Sequence, residues 1–563
     1  MNNTTMEEGM VTYPRGVEKV EKQTHALQQK ISVEEGHGTS EELGDFHRSF
    51  TPRQVHVISL GSSVGSGLFI ATGKALADAG PASMLIAYCM VCIGIWGNLQ
   101  TLTEMTIAFP TSGNYIDYAG RWVDPALAFG AGFAEWLGWT AVVASEATFC
   151  VVLINYWAKD SVPEAALLTI FLIGCLSVFL LPNRFFAWLE YFGSLVKAFL
   201  FIFIIIISVA IIAGAGPTGK VVDGSNWTNL PAFKHGFGGF SNAALLAIWA
   251  VGDQVFIGVM GGEAKSPRFS MAHAANLIPW RTAVFYLVCI IFVATLVPSD
   301  DPNLLGGSGV TSSPFVIAVQ NAGIKGVPDF MNACMLVGIL AIALESIYLP
   351  SRVLRTMAVQ KLLPGFIARV DSKGRPRWAL AITALFATAF TYMSLSANGF
   401  EVLTWLISIT SASFFINWAI IGFTSFRFHA ALRAQKMQIF KEQYGWRSTL
   451  WPLAPIVVLT VSAVLLICLL YASCAPLRGG GFTAYNFFSY TIGLLVIVIF
   501  TLAYKIILRT KWQDPMTADL VTGRRELTTE EIQQLDAYYS RPMWRRLYSL
   551  LYLDLAIQSD TWQ

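Results

Sequence analysis

Charge is what this chain has least of. Only 13% of its 563 residues are Asp, Glu, Lys or Arg, against 54% hydrophobic, and the net charge is +2. That scarcity excludes an ordinary soluble fold, which needs a charged surface, and the near balance of signs implies no nucleic-acid partner. Extracellular cysteine is lacking as well. Of eight cysteines, Cys89, Cys92, Cys150, Cys175, Cys289, Cys334 and Cys468 lie in apolar runs and only Cys474 lies near a polar loop, which rules out a disulfide framework. No Cys/His spacing suggests a metal, and no nucleophile, metal or cofactor constellation suggests an enzyme. Residues 1–50 lack the short apolar core and small-residue cleavage site of a signal peptide, so the first apolar run must direct membrane insertion.

Long apolar runs, by contrast, are abundant. Crossing a bilayer as helix takes about 20 residues, and by that measure the chain holds about twelve spans. They cover 55–77, 82–109, 125–157, 164–181, 189–214, 240–262, 280–298, 327–350, 378–396, 399–427, 451–472 and 487–509. The expected fold is an all-α membrane protein. Arg352, Arg355, Lys361, Arg369, Lys373, Arg375 and Arg377 crowd one connection, and Arg433, Lys436, Lys441 and Arg447 another, while the alternate connections hold a scatter. The positive-inside rule then places both connections and both termini in the cytoplasm. Asn226-Trp227-Thr228 forms a glycosylation sequon on the opposite side.

One of these spans contains Leu60-Gly61-Ser62-Ser63-Val64-Gly65-Ser66-Gly67-Leu68-Phe69. Lipid offers the backbone no hydrogen-bond partners, so irregular backbone at that depth persists only where it lines a cavity or meets a ligand. Five spans later comes Trp249-Ala250-Val251-Gly252-Asp253-Gln254, followed by Gly258, Gly261 and Gly262, again broken by glycine and now carrying an acid. A single glycine of this kind also serves close helix packing. Two breaks five spans apart, one with an ionisable group, instead fit an inverted repeat with its substrate site at the breaks. Half-helix N-termini offer N–H groups to a carboxylate, and half-helix C-termini offer carbonyls to an ammonium. An amino acid zwitterion carries both.

Around these breaks the chain resembles the amino acid–polyamine–organocation superfamily, and within it the fungal amino acid permeases. The resemblance rests on Arg48-Ser49-Phe50, Gly65-Ser66-Gly67-Leu68-Phe69, Gly73-Lys74-Ala75-Leu76, Gly80-Pro81-Ala82, Gln100, Glu104 and Ala108-Phe109-Pro110. It continues through Gly262-Glu263-Ala264, Ser266-Pro267-Arg268, Ser351-Arg352-Val353-Leu354, Gly374-Arg375-Pro376, Arg427-Phe428 and Thr522-Gly523-Arg524-Arg525-Glu526. It implies a LeuT-like inverted repeat with broken helices one and six, alternating access, and proton symport of amino acids at the plasma membrane. The organisation that follows is a cytoplasmic tail 1–50, repeat one 51–215, repeat two 240–430, two further spans 451–509 and a cytoplasmic tail 510–563. Carried over by position, Ser63, Val64, Gly65, Ser66 and Gly67 with Trp249, Gly252 and Asp253 would bind the substrate. Where fungal members have Gly-Thr-Glu, this chain has Asp253-Gln254-Val255. Asp253 would pair with a substrate ammonium or a cationic side chain, or be protonated and hydrogen-bonded to a neighbouring span.

For the coupling proton the sequence offers Lys197, which begins a long apolar run after Glu190. A buried lysine readily loses its proton and so switches charge, whereas a lysine near a helix entry can instead snorkel to headgroups. In this superfamily some proton-coupled members place a lysine here, where sodium-coupled relatives hold a cation. Glu146 and Glu104, which match family positions, join Lys197 as proton-coupling candidates, and Glu135, Glu345 and Glu401 are further intramembrane acids. Glu135 and Trp139, four residues apart, would share one helix face. The implied partners are an amino acid, a proton and the bilayer, with ubiquitin ligase adaptors on tail lysines such as Lys19, Lys22 and Lys30; no cofactor is implied. The readings left open are a transporter of polyamines or quaternary amines, and a transporter-like nutrient receptor.

Overall fold

A computed structural model describes residues 65–111, 113–159, 161–252, 267–304, 313–371, 374–395, 399–448, 450–477 and 481–545. Ser63, Val64 and Asp253 lie outside the described residues. Among the described residues the chain is helical, with no strand, and eight of its helices are long and apolar enough to cross a membrane. The helices are α1 (Gly67–Ala108), α2 (Asn114–Trp122), α3 (Pro125–Ala158), α4 (Glu164–Val178), α5 (Asn183–Ile212), α6 (Gly236–Val251) and α7 (Pro267–Leu296). They continue with α8 (Pro314–Asn321), α9 (Val327–Val359), α10 (Arg377–Met393), α11 (Gly399–Ala434), α12 (Leu453–Cys474), α13 (Ala484–Leu508) and α14 (Thr529–Tyr539).

α1 contains residues 67–77 of the first expected span and nearly all of the second, and Gly80 is where they part. Its φ of 75° is a left-handed conformation that favours glycine, and Pro81 has no N–H to continue the helix. The segment before α6 satisfies the break: Ala82 N donates to Ala232 O at 3.0 Å and Lys234 N to Ala79 O at 2.9 Å. Any Cβ on Gly80 would sit 2.6 Å from Pro231 O. Span six is thereby anchored to the top of span one at its own entry.

α3 is the central post. Asp124 caps it, accepting from Ala126 N at 2.8 Å, and Pro125 occupies the first helical position, where its missing N–H costs nothing. Along its most apolar stretch 89% of residues are buried, against 17% for α13, so α3 is enclosed by protein and α13 faces the bilayer. α6 and α7 pack on α1, while α9 and α11 pack on α3 and α5 packs on α9. Residues after α13 strap one end of the bundle. Gln513 N donates to Val123 O at 2.8 Å, Trp122 Nε1 to Asp519 O at 2.9 Å, Gln435 Nε2 to Ala518 O at 2.8 Å and Arg525 N to Ala108 O at 3.2 Å. Beneath the strap Trp122 stacks on Phe428 and Tyr118.

Glu401 is an exposed residue in the first turn of α11, hydrogen-bonded to Tyr485 Oη at 3.0 Å, where the apolar span 401–434 begins. Two expectations change. Glu190 is fully buried and is not a helix entry. The side-chain nitrogen of the Asn226 sequon donates to Thr295 O at 2.8 Å, so the atom a glycan would need is engaged.

Candidate functional site

The glycine cluster of span one opens α1 with a widened π turn, Gly67–Ala71. Among the described residues Leu68 N and Phe69 N are the first donors, both to Gly65 O at 3.0 and 2.9 Å, with the N–H groups of Gly65, Ser66 and Gly67 ahead of them. π turns of this kind recur at functional sites. Gly67 lies directly against span six, where an added Cβ would sit 2.6 Å from the Cβ of Ala250 and 2.8 Å from its Cα. Only glycine permits that approach. The positive end of α1 therefore meets the last turn of α6.

The α6 ladder ends with Gly252 N donating to Ile248 O at 2.7 Å. Ala250 O accepts from Tyr286 Oη at 2.9 Å and Gly252 O from Trp418 Nε1 at 3.1 Å, so two carbonyls of the α6 end are held by side chains of α7 and α11. Trp249 is buried with its ring 5.7 Å from that of Phe149, and its Nε1 has no hydrogen-bond partner among the described residues. Donor and carbonyl groups thus converge at two facing helix ends, the arrangement that suits a ligand with a negative and a positive group.

The Ser66 hydroxyl donates to Glu146 Oε1 on α3 at 2.5 Å, both residues being buried. The other Glu146 oxygen has no hydrogen-bond partner among the described residues. Lys197 of α5 lies within electrostatic reach of Glu146. Its side chain is fully buried, its stem packs beside Gly338 and its Nζ sits 3.6 Å from Glu190 Oε1. Lys197 is therefore enclosed by protein and does not snorkel.

Glu104 is placed elsewhere. It pairs with His429 Nε2 and accepts from Ser448 N at 3.0 Å, and His429 in turn stacks on Trp451 at 4.1 Å. This knot ties α1 to α11 and to the loop before α12. Glu135 and Trp139 do share a face, joined by a 3.2 Å hydrogen bond, and Asn417 Nδ2 donates to the second Glu135 oxygen at 2.6 Å. The structure thus brings Gly65, Ser66, Gly67, Trp249, Gly252 and Glu146 around one junction with Lys197 behind it, and sets Glu104 apart. Sequence reasoning missed Tyr286 and Trp418, which hold the α6 carbonyls, because each is an aromatic among many in the apolar runs. It also missed Glu190, although a Glu-x6-Lys spacing puts both residues on one helix face two turns apart.

Residues 54–514 match the amino acid permease family. The chain is 30% identical to amino-acid permease GAP3 of Candida albicans over 90% of its own length and 86% of that protein's. It is likewise 30% identical to general amino-acid permease GAP2 of the same organism, covering 89% and 86%. To cationic amino acid transporter 1 of Schizosaccharomyces pombe it is 31% identical, covering 86% and 83%.

Proposed function

The chain belongs to the amino acid permease family, and from that premise we propose that it imports amino acids at the plasma membrane by proton symport with alternating access. The carrying observation is the junction of α1 and α6. Two helix ends of opposite polarity face one another across the Gly67–Ala250 contact, in a membrane-buried setting where free backbone groups are otherwise expensive. The substrate carboxylate takes the N–H groups of Gly65, Ser66 and Gly67. Its ammonium takes carbonyls at the end of α6, with Ser63 and Val64 completing the site. Asp253, immediately after Gly252, adds a negative charge at the cationic end of the ligand. Trp249 closes over the site against Phe149.

Proton coupling fits Lys197 and Glu146. Lys197 is buried behind the α1 turn, and Glu146 reaches that turn directly through Ser66. Gain or loss of a proton by this pair changes the charge felt at the substrate turn, so occupancy and protonation are linked. The inverted-repeat organisation and cytoplasmic termini follow as part of the same reading.

The test is competition uptake in cells lacking their own permeases, screening labelled amino acids, polyamines and carnitine at two pH values. Saturable amino acid uptake that rises at acid pH, and falls in Asp253→Asn and Lys197→Ala, supports the reading. Entry of polyamines or carnitine alone would move Asp253 to the role of selectivity residue. No entry by a protein present at the surface would favour a receptor.

A further inference from the structure

The seam between α5 and α9 holds more acid than the mechanism above uses. The two helices run antiparallel there. A Cβ on Gly193 would sit 2.6 Å from the Cβ of Ala341, and one on Gly338 would sit 3.1 Å from the Cγ of Lys197. From the Gly193–Ala341 contact, Glu190 lies three residues back on α5 and Glu345 four residues forward on α9. In antiparallel helices these steps run the same way, about one turn each, and leave the two carboxyls at one level. Glu190 is 0% and Glu345 3% exposed, and Lys197 is 0% exposed. Lys197 Nζ lies 3.6 Å from Glu190 Oε1, and Glu345 is in electrostatic contact with both. Oε1 of Glu345 has no hydrogen-bond partner among the described residues.

Other elements add acid as well as cation. From α3 the seam is faced by Glu146, a third acid, already engaged by Ser66. α7, which packs on α5, carries Tyr286, which donates to Ala250 O, and the partly buried cation Arg281, while α8 carries no ionisable residue. On α10 Arg377 is drawn to Asp371 at the exposed start of the helix. Arg352 lies two turns beyond Glu345, with its guanidinium over the Tyr348 ring at 3.3 Å. Two carboxylates and one ammonium would leave a net negative charge in an apolar seam, and two carboxyls sharing one site resist ionising together.

We infer that Glu190 and Glu345 form a carboxyl pair that holds one proton between them beside Lys197. The proton binds to one carboxylate oxygen and leaves by the same O–H bond, with no other bond changed. The pair titrates as a unit. The inference rests on the coupling reading of Lys197 only for its purpose in transport; the bound proton is a separate claim.

The experiment is infrared difference spectroscopy of the purified full chain in lipid nanodiscs, titrated from acid to alkaline pH, following the C=O stretch of protonated carboxyls. Wild type is expected to show a band that disappears on alkalinisation. Glu345→Gln and Glu190→Gln should each abolish it, whereas Glu345→Asp, which keeps a carboxyl, and Glu401→Gln, at an exposed site, should retain it. A band that survives in both Gln variants, or that is absent from wild type, overturns the proposal. A second measurement needs no variant. Dicyclohexylcarbodiimide, which attacks buried protonated carboxyls, should label Glu190 or Glu345 at acid pH and cease to do so at alkaline pH. Labelling of Glu146 with neither Glu190 nor Glu345 modified would also overturn it. Uptake measured alongside separates the two claims: a titrating band with pH-independent uptake leaves the carboxyl pair standing and removes the coupling role.

Discussion

At the scale of the residue, function concentrates where small side chains bring backbone together. Gly67 has no room for a methyl group against Ala250, and overpacking of this kind costs about 1–3 kcal/mol. Gly67→Ala is expected to lower uptake by about tenfold or more while surface abundance, measured by surface labelling, holds. Normal uptake would contradict the close α1–α6 junction. Ser66→Ala removes the hydroxyl that engages Glu146 and leaves both buried oxygens unsatisfied, at about 1–3 kcal/mol. A lower thermal midpoint in detergent, with a changed pH profile of uptake, is the expected result; Ser66→Thr should restore both.

The glycine break and Lys197 were legible in the sequence, since glycine and charge stand out in an apolar run. The Ser66–Glu146 bond joins residues 80 positions apart, and no local pattern announces it.

At the scale of the element, helix ends decide the architecture. Asp124 caps α3 and also pairs with Lys505 and accepts from Thr510 Oγ1 at 2.6 Å, fastening the end of α13 to α3. Burial pushes the Asp124 carboxyl up, but the hydrogen bonds from Lys505, Thr510 and Ala126 N outweigh it and hold the group below the ordinary carboxylate value. A depressed folded pKa means the stabilisation is complete above the unfolded value, about 3.9, and is lost as pH falls through the folded one. Asp124→Ala is therefore expected to cost about 1 kcal/mol at neutral pH, read as a lower thermal midpoint, with wild type and variant converging only below about pH 4. Convergence already at neutral pH would contradict the clamp.

Most helices were legible at this scale because length and apolarity suffice to mark them. The merging of two spans into one helix bent at Gly80 was less so. Its Gly80-Pro81 pair was visible, but the segment 231–234 that satisfies the bend lies about 150 residues away and reads only as a polar connection.

At the scale of the whole molecule, the strap that follows α13 binds α1, α2 and α11 at one end of the bundle. Arg427 donates to Gln513 O and Arg121 to Thr522 O, besides the bonds from Trp122 and Gln435. Each such bond contributes about 0.5–1.5 kcal/mol. A chain ended after Thr510 is expected to show a clearly lower thermal midpoint in detergent than the full chain; an unchanged midpoint would show that the strap does not stabilise the bundle. This docking was not legible, because strap residues 511–527 are aperiodic and their contacts are made largely through backbone carbonyls.

The central claim is that one molecule joins an amino acid site at the α1–α6 junction to a proton held behind it. The most direct measurement is accumulation of labelled amino acid by proteoliposomes under an imposed inward proton gradient, with wild type and Lys197→Ala side by side. Concentrative uptake in wild type that collapses when the gradient is dissipated, and only equilibrating or absent uptake in the variant, is the expected result. Accumulation without a gradient, or gradient-driven accumulation that Lys197→Ala leaves intact, would contradict it.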